Sequence, residues 1–396
     1  MNYTFDGVIS RPVLENYLAR AITMLGLSES TQRGEDFRML LNIGAKYIGR
    51  AAYIWSVNAD EESHFNDAAQ TVAAYRRLDA DAIFQACIFE VVCDNIVSRI
   101  PIPAWVFEEF GLPVEGRAFR YEAMLYDPAC TNTKPLSWWP NAANHWMRDY
   151  FGQGESVPDM STLETQMWFF YRARRYIDAG FEALHLGQVH LMSYNDPDAR
   201  YWWSLLARIR RYGAVHARRH LVLLDAHTHG IRLDEGRLLF DLHSHPLIIK
   251  DVVTKPEQGV LEEGFRQAIF GRSMGGITPS GWSCDHLPYI VEFDNFGSSG
   301  KPGQHVEESP WVWGSDEICW FARQPEACRN DFLRYAHPRI RELDPSGLLQ
   351  MPGSRCLADP ADGQDTYHAN TRSPSCPAGF NQEQTIKDLW AHRNQG

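Results

Sequence analysis

Basic charge is in deficit: the 396-residue chain sets 38 Lys and Arg against 50 Asp and Glu, a formal net charge of -12 at pH 7. Nucleic acid and anionic membranes both call for a basic surface, so neither is expected as a partner. No stretch approaches the ~20 apolar residues that span a bilayer. The start, MNYTFDGVISRP, has neither the basic nor the apolar region of an export signal, which points to the cytoplasm. The eight cysteines (Cys87, Cys93, Cys130, Cys284, Cys319, Cys328, Cys356 and Cys376) form no C-x-x-C pair. Scattered thiols suit a reducing compartment better than a disulfide framework. No G-x-G-x-x-G follows the first strand-like run, and no Walker-type loop occurs. Enzymes of dinucleotides and nucleoside triphosphates are therefore disfavoured. No G-x-S-x-G marks a serine nucleophile.

What is present is a globular composition, 44% hydrophobic and 22% charged. Residues 1–396 read as one large domain. Aromatics reach 12%. Several tryptophans (Trp138, Trp139, Trp146, Trp282, Trp311 and Trp313) fall in loop-like stretches. Rings placed there suit the C–H faces of sugars, although core packing is the ordinary fate of Trp.

Five apolar runs each end in a carboxylate or a histidine. They are IFQACIFE (to Glu90), ALHLGQVH (to His190), HLVLLDAH (Asp225, His227), RLLFDLH (Asp241, His243) and YIVEFDN (Glu292, Asp294, Asn295). Such runs read as strands buried on both faces, and a charge is tolerated there only at a strand mouth or beside a partner. Strands are expected at 44–55, 82–92, 183–192, 220–227, 237–243, within 262–271, at 286–295 and at 347–355. Helices are expected from Ser10 and Pro12 through VLENYLARAITMLGL, over 60–78, from a Ser161–Glu164 capping box to Gly180, and over 197–217. Residues 94–160 break the rhythm and read as a lid or insertion after the second strand. The tail from 356 reads as irregular. About eight strands alternating with helices predict an α/β fold, a (β/α)8 TIM barrel.

Side chains two apart on a strand share a face. Asp225 with His227, Asp241 with His243, Gln188 with His190, and Glu292 with Asp294 would then meet in one pocket, joined by Glu90. Arg50, inside the first expected strand, would pair with a site carboxylate. Glycoside hydrolysis uses a carboxylic acid together with a carboxylate nucleophile or base. Asp225 ends the fourth expected strand and Glu292 lies on the seventh.

In that strand order and in YIVEFDNFG, residues 40–355 resemble the (β/α)8-barrel glycoside hydrolases, in particular bacterial proteins of that architecture. The resemblance implies Glu292 as nucleophile or base, with Glu90, Asp225 or Asp241 as acid. Gln188, His190, His227, His243, Asp294, Asn295, Arg50, Trp282 and Trp313 would bind a small carbohydrate, without a cofactor. Strand four of such enzymes often ends in Asn-Glu, where this chain has Asp225-Ala-His227. An alternative is a metal-dependent hydrolase of the amidohydrolase or PHP type. The repeated D-x-H-x-H would then offer His227, His243, Asp225 and Asp241 to a divalent ion such as zinc. A non-catalytic sugar-binding barrel is a third reading. Oligomeric state leaves no mark in the sequence.

Overall fold

The computed structural model describes residues 1–55, 60–127, 147–252, 254–262, 272–295, 316–361 and 363–392. Eight parallel strands follow one another around a barrel. They are β1 (Ala21–Met24), β2 (Tyr47–Tyr53), β3 (Ile83–Cys87), β4 (Ala183–His185), β5 (Leu223–Asp225), β6 (His243–Pro246), β7 (Tyr289–Glu292) and β8 (Gly347–Ala361). Their order in the sheet is β5-β4-β3-β2-β1-β8-β7-β6. A parallel bridge between His227 and Ser244 joins the two ends of that path. The α/β TIM-barrel expectation therefore holds. Among the described residues no helix is long and apolar enough to cross a membrane.

Helices precede, separate and follow the strands: α1 (Arg11–Leu18), α2 (Arg33–Ile43), α3 (Glu61–Arg76), α4 (Leu163–Asp178), α5 (Arg200–His216), α6 (Glu317–Arg323), α7 (Glu326–Leu343) and α8 (Glu383–His392). The cap of α4 is Thr162, whose hydroxyl accepts from Thr165 N, rather than Ser161. Glu164 turns away to Arg117 at 2.6 Å. Asp316 caps α6 by accepting from Cys319 N at 2.7 Å.

Four expectations need correction, one being the strand expected at 237–243, of which only His243 lies in β6. The first strand is not 44–55 but Ala21–Met24, inside the run read as one long helix. Helix α1 stops at Leu18 because the next residues are claimed on both sides, Ala21–Thr23 by β2 and Ile22–Met24 by β8. Strand pairing there overrides helical spacing. Second, the run expected at 183–192 is a strand only to His185, and Val189–Met192 is a turn of 3-10 helix. Third, the tail continues β8 to Ala361, pairs it antiparallel with Gln364–His368 and ends in α8. The strand expected within 262–271 lies almost wholly outside the described residues. Within 94–160 the described parts include two short helices, Asp94–Val97 and Ala104–Glu109.

The inner faces are set by one apolar cluster. Ala21, Tyr47, Ile83, Ala183, Leu223, Leu242, Ile290 and Leu348 pack together over Leu14, Tyr17 and Ile9 of the N-terminal segment. This plugs the end at which the strands begin. Two residues further along each strand, the inward positions are Thr23, Gly49, Gln85, His185, Asp225, Ser244, Glu292 and Gln350. The barrel interior thus changes from apolar to polar toward the strands' C-terminal end, where barrel enzymes place their chemistry.

Candidate active site

Glu292 sits at the centre of the polar layer and is 1% exposed. Arg50 Nε donates to its Oε2 at 2.7 Å, and Arg50 Nη2 donates to its Oε1. His227 Nε2 lies 3.0 Å from the same Oε1. Asp294 is paired with Arg355 Nη2 and lies 3.7 Å from Arg50 Nη2 and 3.8 Å from His227 Nε2. Arg355 Nε also donates to Asn295 Oδ1 at 3.1 Å. Burying two ions costs several kcal/mol each, which only close pairing offsets. Here each carboxylate has its own guanidinium.

Both guanidiniums arrive through irregular backbone. In an even strand Arg50 would face away from Gly49 and so out of the barrel. Instead the β2–β3 register shifts between Ile48 and Ala52, and Arg50 takes a left-handed φ of 55°. That bulge turns the side chain to the barrel axis, the re-aiming such irregularities produce. On β8, Thr23 pairs with Pro352 but Met24 pairs with Ser354. The skipped residue reverses the alternation and lets Arg355 reach Asp294.

Burial opposes ionisation of Glu292. The Arg50 charge, the hydrogen bonds from His227 and Arg50, and the Arg355 charge overcome it and hold the carboxyl well below the usual carboxylate range. Burial likewise opposes ionisation of Asp294, and Arg355 and Arg50 lower its pKa. Burial pulls the Arg50 pKa down, but Glu292 and Asp294 raise it well above its ordinary value. The site therefore presents fixed carboxylates.

Asp225, 0% exposed, accepts from Gln85 Nε2 at 2.6 Å and bonds His185 Nδ1 at 2.8 Å. Burial keeps His185 below its ordinary pKa, outweighing the Asp225 charge. The His185 ring stands edge-on to His227, with centroids 4.7 Å apart. Half-buried Phe89 lies 5.9 Å from the His185 ring and 5.4 Å from the Arg50 guanidinium.

Of the residues singled out from sequence, Arg50, Asp225, His227, Glu292, Asp294 and Asn295 come together here. Glu90 stands nearby, clamped by Gln188 N and Gln188 Nε2, each at 2.9 Å. His190 does not reach the layer but bonds Thr228 Oγ1 at 2.8 Å. Asp241 and His243 must be corrected. Leu242 points into the barrel, so its neighbours point out. Asp241 meets Arg210 of the outer helix α5 at 3.1 Å, and burial raises its pKa. Buried His243 has no hydrogen-bond partner on either ring nitrogen among the described residues. Trp282 is at the plugged end, where its Nε1 donates to Ile9 O at 2.9 Å. Trp313 lies outside the described residues. Asp225 ends the fifth strand, not the fourth, and the fourth ends in His185. His185, Gln85, Phe89 and Arg355 were missed. His185 ends β4 just as Asp225 ends β5, a signal available in ALHLGQVH.

The zinc set loses its geometry, since Asp241 and His243 face away from Asp225 and His227. Among the described residues one other group fits ligand spacing: His227, Glu292 and Asp294, with ligand atoms within 4.8 Å of one another. Arg50 Nη2, 3.1 Å from His227 Nε2, already supplies that group with a cation.

No protein-family model matches the chain, and no curated protein matches it. Solved structures do align. The acarbose-soaked debranching enzyme of Nostoc punctiforme is 10% identical, with 99% of this chain and 83% of that chain covered and a TM-score of 0.47. Against two other structures of that enzyme the chain spans only 50% of their length, with TM-scores of 0.32. The cyclic alpha-maltosyl-(1-->6)-maltose hydrolase of Arthrobacter globiformis is 10% identical over 96% of this chain and 84% of its own, with a TM-score of 0.44. The glycoside hydrolase domain of PelA from Pseudomonas aeruginosa is 8% identical over 84% and 93%, with a TM-score of 0.34. The barrel itself rests on the strand order and closure described above.

Proposed function

We propose that this barrel is a glycoside hydrolase acting on a small carbohydrate, with Glu292 as its nucleophile or base. The observation that carries the proposal is the ionised Glu292 at the C-terminal end of the barrel, its charge fixed by Arg50 and His227. A carboxylate held ionised is suited to attack an anomeric carbon or to activate water, and is unsuited to protonate a leaving group. The acid falls to Glu90, since Asp225 is committed as the partner of Gln85 and His185. Phe89 offers a half-buried ring beside the charges for the apolar face of a sugar.

The test is a panel of aryl glycosides and oligosaccharides of both anomeric series. Release of reducing sugar from at least one supports the reading, and no turnover of any contradicts it. Glu90→Gln, with Asp225→Asn beside it as a control, then tests the acid. The variant that loses activity on poor leaving groups but keeps it on activated ones has lost the proton donor.

A second reading, a sugar-binding barrel without turnover, is favoured by one observation. Both oxygens of Glu292 are occupied by Arg50, one of them also by His227. Calorimetric binding of a sugar that is never hydrolysed would select it.

A further inference from the structure

Two buried polar atoms in the cluster around Glu292 lack a hydrogen-bond partner among the described residues: His185 Nε2 and Arg355 Nη1. Their residues are 2% and 6% exposed. Leaving such atoms unmatched is unfavourable, and these two lie among the groups that surround the candidate catalytic carboxylate. They are opposite in kind. His185 is oriented by Asp225 through Nδ1. With the Nδ1 proton given to Asp225, its neutral ring presents Nε2 as an acceptor. Arg355, fixed by Asp294 and Asn295, presents Nη1 as a donor 3.8 Å from Glu292 Oε2. The His185 ring packs edge-on against His227, which in turn bonds Glu292. An acceptor and a donor near one carboxylate suit the hydroxyls of a ring whose anomeric carbon faces that carboxylate.

The charges restrict the ring further. Asp225, Glu292 and Asp294 outnumber Arg50 and Arg355, and each guanidinium is already paired. An added carboxylate or sulfate would find no free cation there and would be repelled.

We infer that His185 Nε2 and Arg355 Nη1 form a hydroxyl-binding subsite for an uncharged sugar ring, with Asp225 as the residue that positions His185. This rests on the glycoside hydrolase reading and names the substrate class of the same site.

The experiment measures binding of D-glucose, D-galactose and D-mannose, and of D-glucuronate and D-galacturonate, by saturation-transfer NMR on the full chain. Two variants accompany the wild type. His185→Asn keeps an amide donor for Asp225 and removes the Nε2 acceptor. Arg355→Lys keeps the charge for Asp294 and removes the fork. Thermal melts confirm that both are folded. The expected result is binding of at least one neutral hexose, no binding of its uronate, and a loss of about tenfold in either variant. Three results overturn the inference: no neutral hexose binds, a uronate binds as well as its parent, or folded variants bind like wild type. Hexose binding of the expected pattern without hydrolysis of any glycoside contradicts the enzyme reading alone. Hydrolysis with an unchanged KM in His185→Asn contradicts the subsite alone.

Discussion

Arg50 and Glu292 place opposite charges at the axis of the barrel, where neither is tolerable alone. Removing one partner strands the other. Arg50→Met is expected to cost about 3–5 kcal/mol, read as a fall in denaturant midpoint. Glu292 also ties stability to pH. Its folded pKa lies below its unfolded one, so its contribution is complete above about pH 4.3 and is lost as pH falls through the folded value. His243 acts in the same direction from a higher starting point. Burial, with a smaller contribution from His229 and His190, lowers it from 6.5 to about 3. The unfolded chain therefore binds its proton first, and stability declines as pH falls below 6.5. His243→Leu removes that proton and two unmatched nitrogens. It is expected to weaken the fall of the melting temperature between pH 6.5 and 4, while His185 and His245, lowered by burial in the same way, keep part of it. At pH 7.5 the gain is about 1 kcal/mol, roughly 2 °C. A variant that melts several degrees lower would show that the imidazole has a partner.

At the scale of elements, alternation made part of the site legible and hid the rest. In YIVEFDN the strand Tyr289–Glu292 runs without a bulge, and Glu292 and Asp294 both meet Arg50, as their spacing implies. Arg50 and Arg355 depend on bulges, which leave no alternation to read. RLLFDLH misled for another reason. Its apolar residues precede the strand, and the strand proper is the polar HSHP, whose inward side chain is Ser244. Strand β1 was hidden because four apolar residues beside a helix continue its periodicity and only their neighbours make them a strand. Loop β4–α5 carries one more testable detail. Gly187 has a φ of +63°, and a Cβ there would sit 1.9 Å from Glu90 Oε2. Gly187→Ala is expected to break the Glu90–Gln188 clamp at a cost of about 1–3 kcal/mol. If Glu90 is the acid, turnover on poor leaving groups falls with it. An unchanged melt and unchanged turnover would mean that the clamp is dispensable.

For the whole molecule, the barrel is held unevenly. Strand β8 pairs with β7 over four residues and β7 with β6 over four. The β5–β6 seam rests on the His227–Ser244 bridge and on Asp241 N to Leu224 O and Ser244 N to Ala226 O at 2.9 and 3.1 Å. Hydrogen exchange is expected to reach the Ser244 amide before those of Val291 and Leu349. Equal protection would mean a barrel closed as firmly there as elsewhere. Length and the alternation of apolar runs with helices sufficed for the barrel as a whole, because closure of eight strands is a property of the pattern. The residues at its mouth were less legible because their directions depend on bulges and on where each strand starts.

The central claim is that an ionised Glu292, held by Arg50 and His227, is the group that attacks or activates water. The measurement that reaches it most directly compares kcat of wild type and Glu292→Gln on the best glycoside of the panel, with both proteins shown folded by near-ultraviolet circular dichroism. A loss of about 10³-fold or more with the fold intact is expected. A folded Glu292→Gln that hydrolyses the substrate within a few-fold of wild type contradicts it.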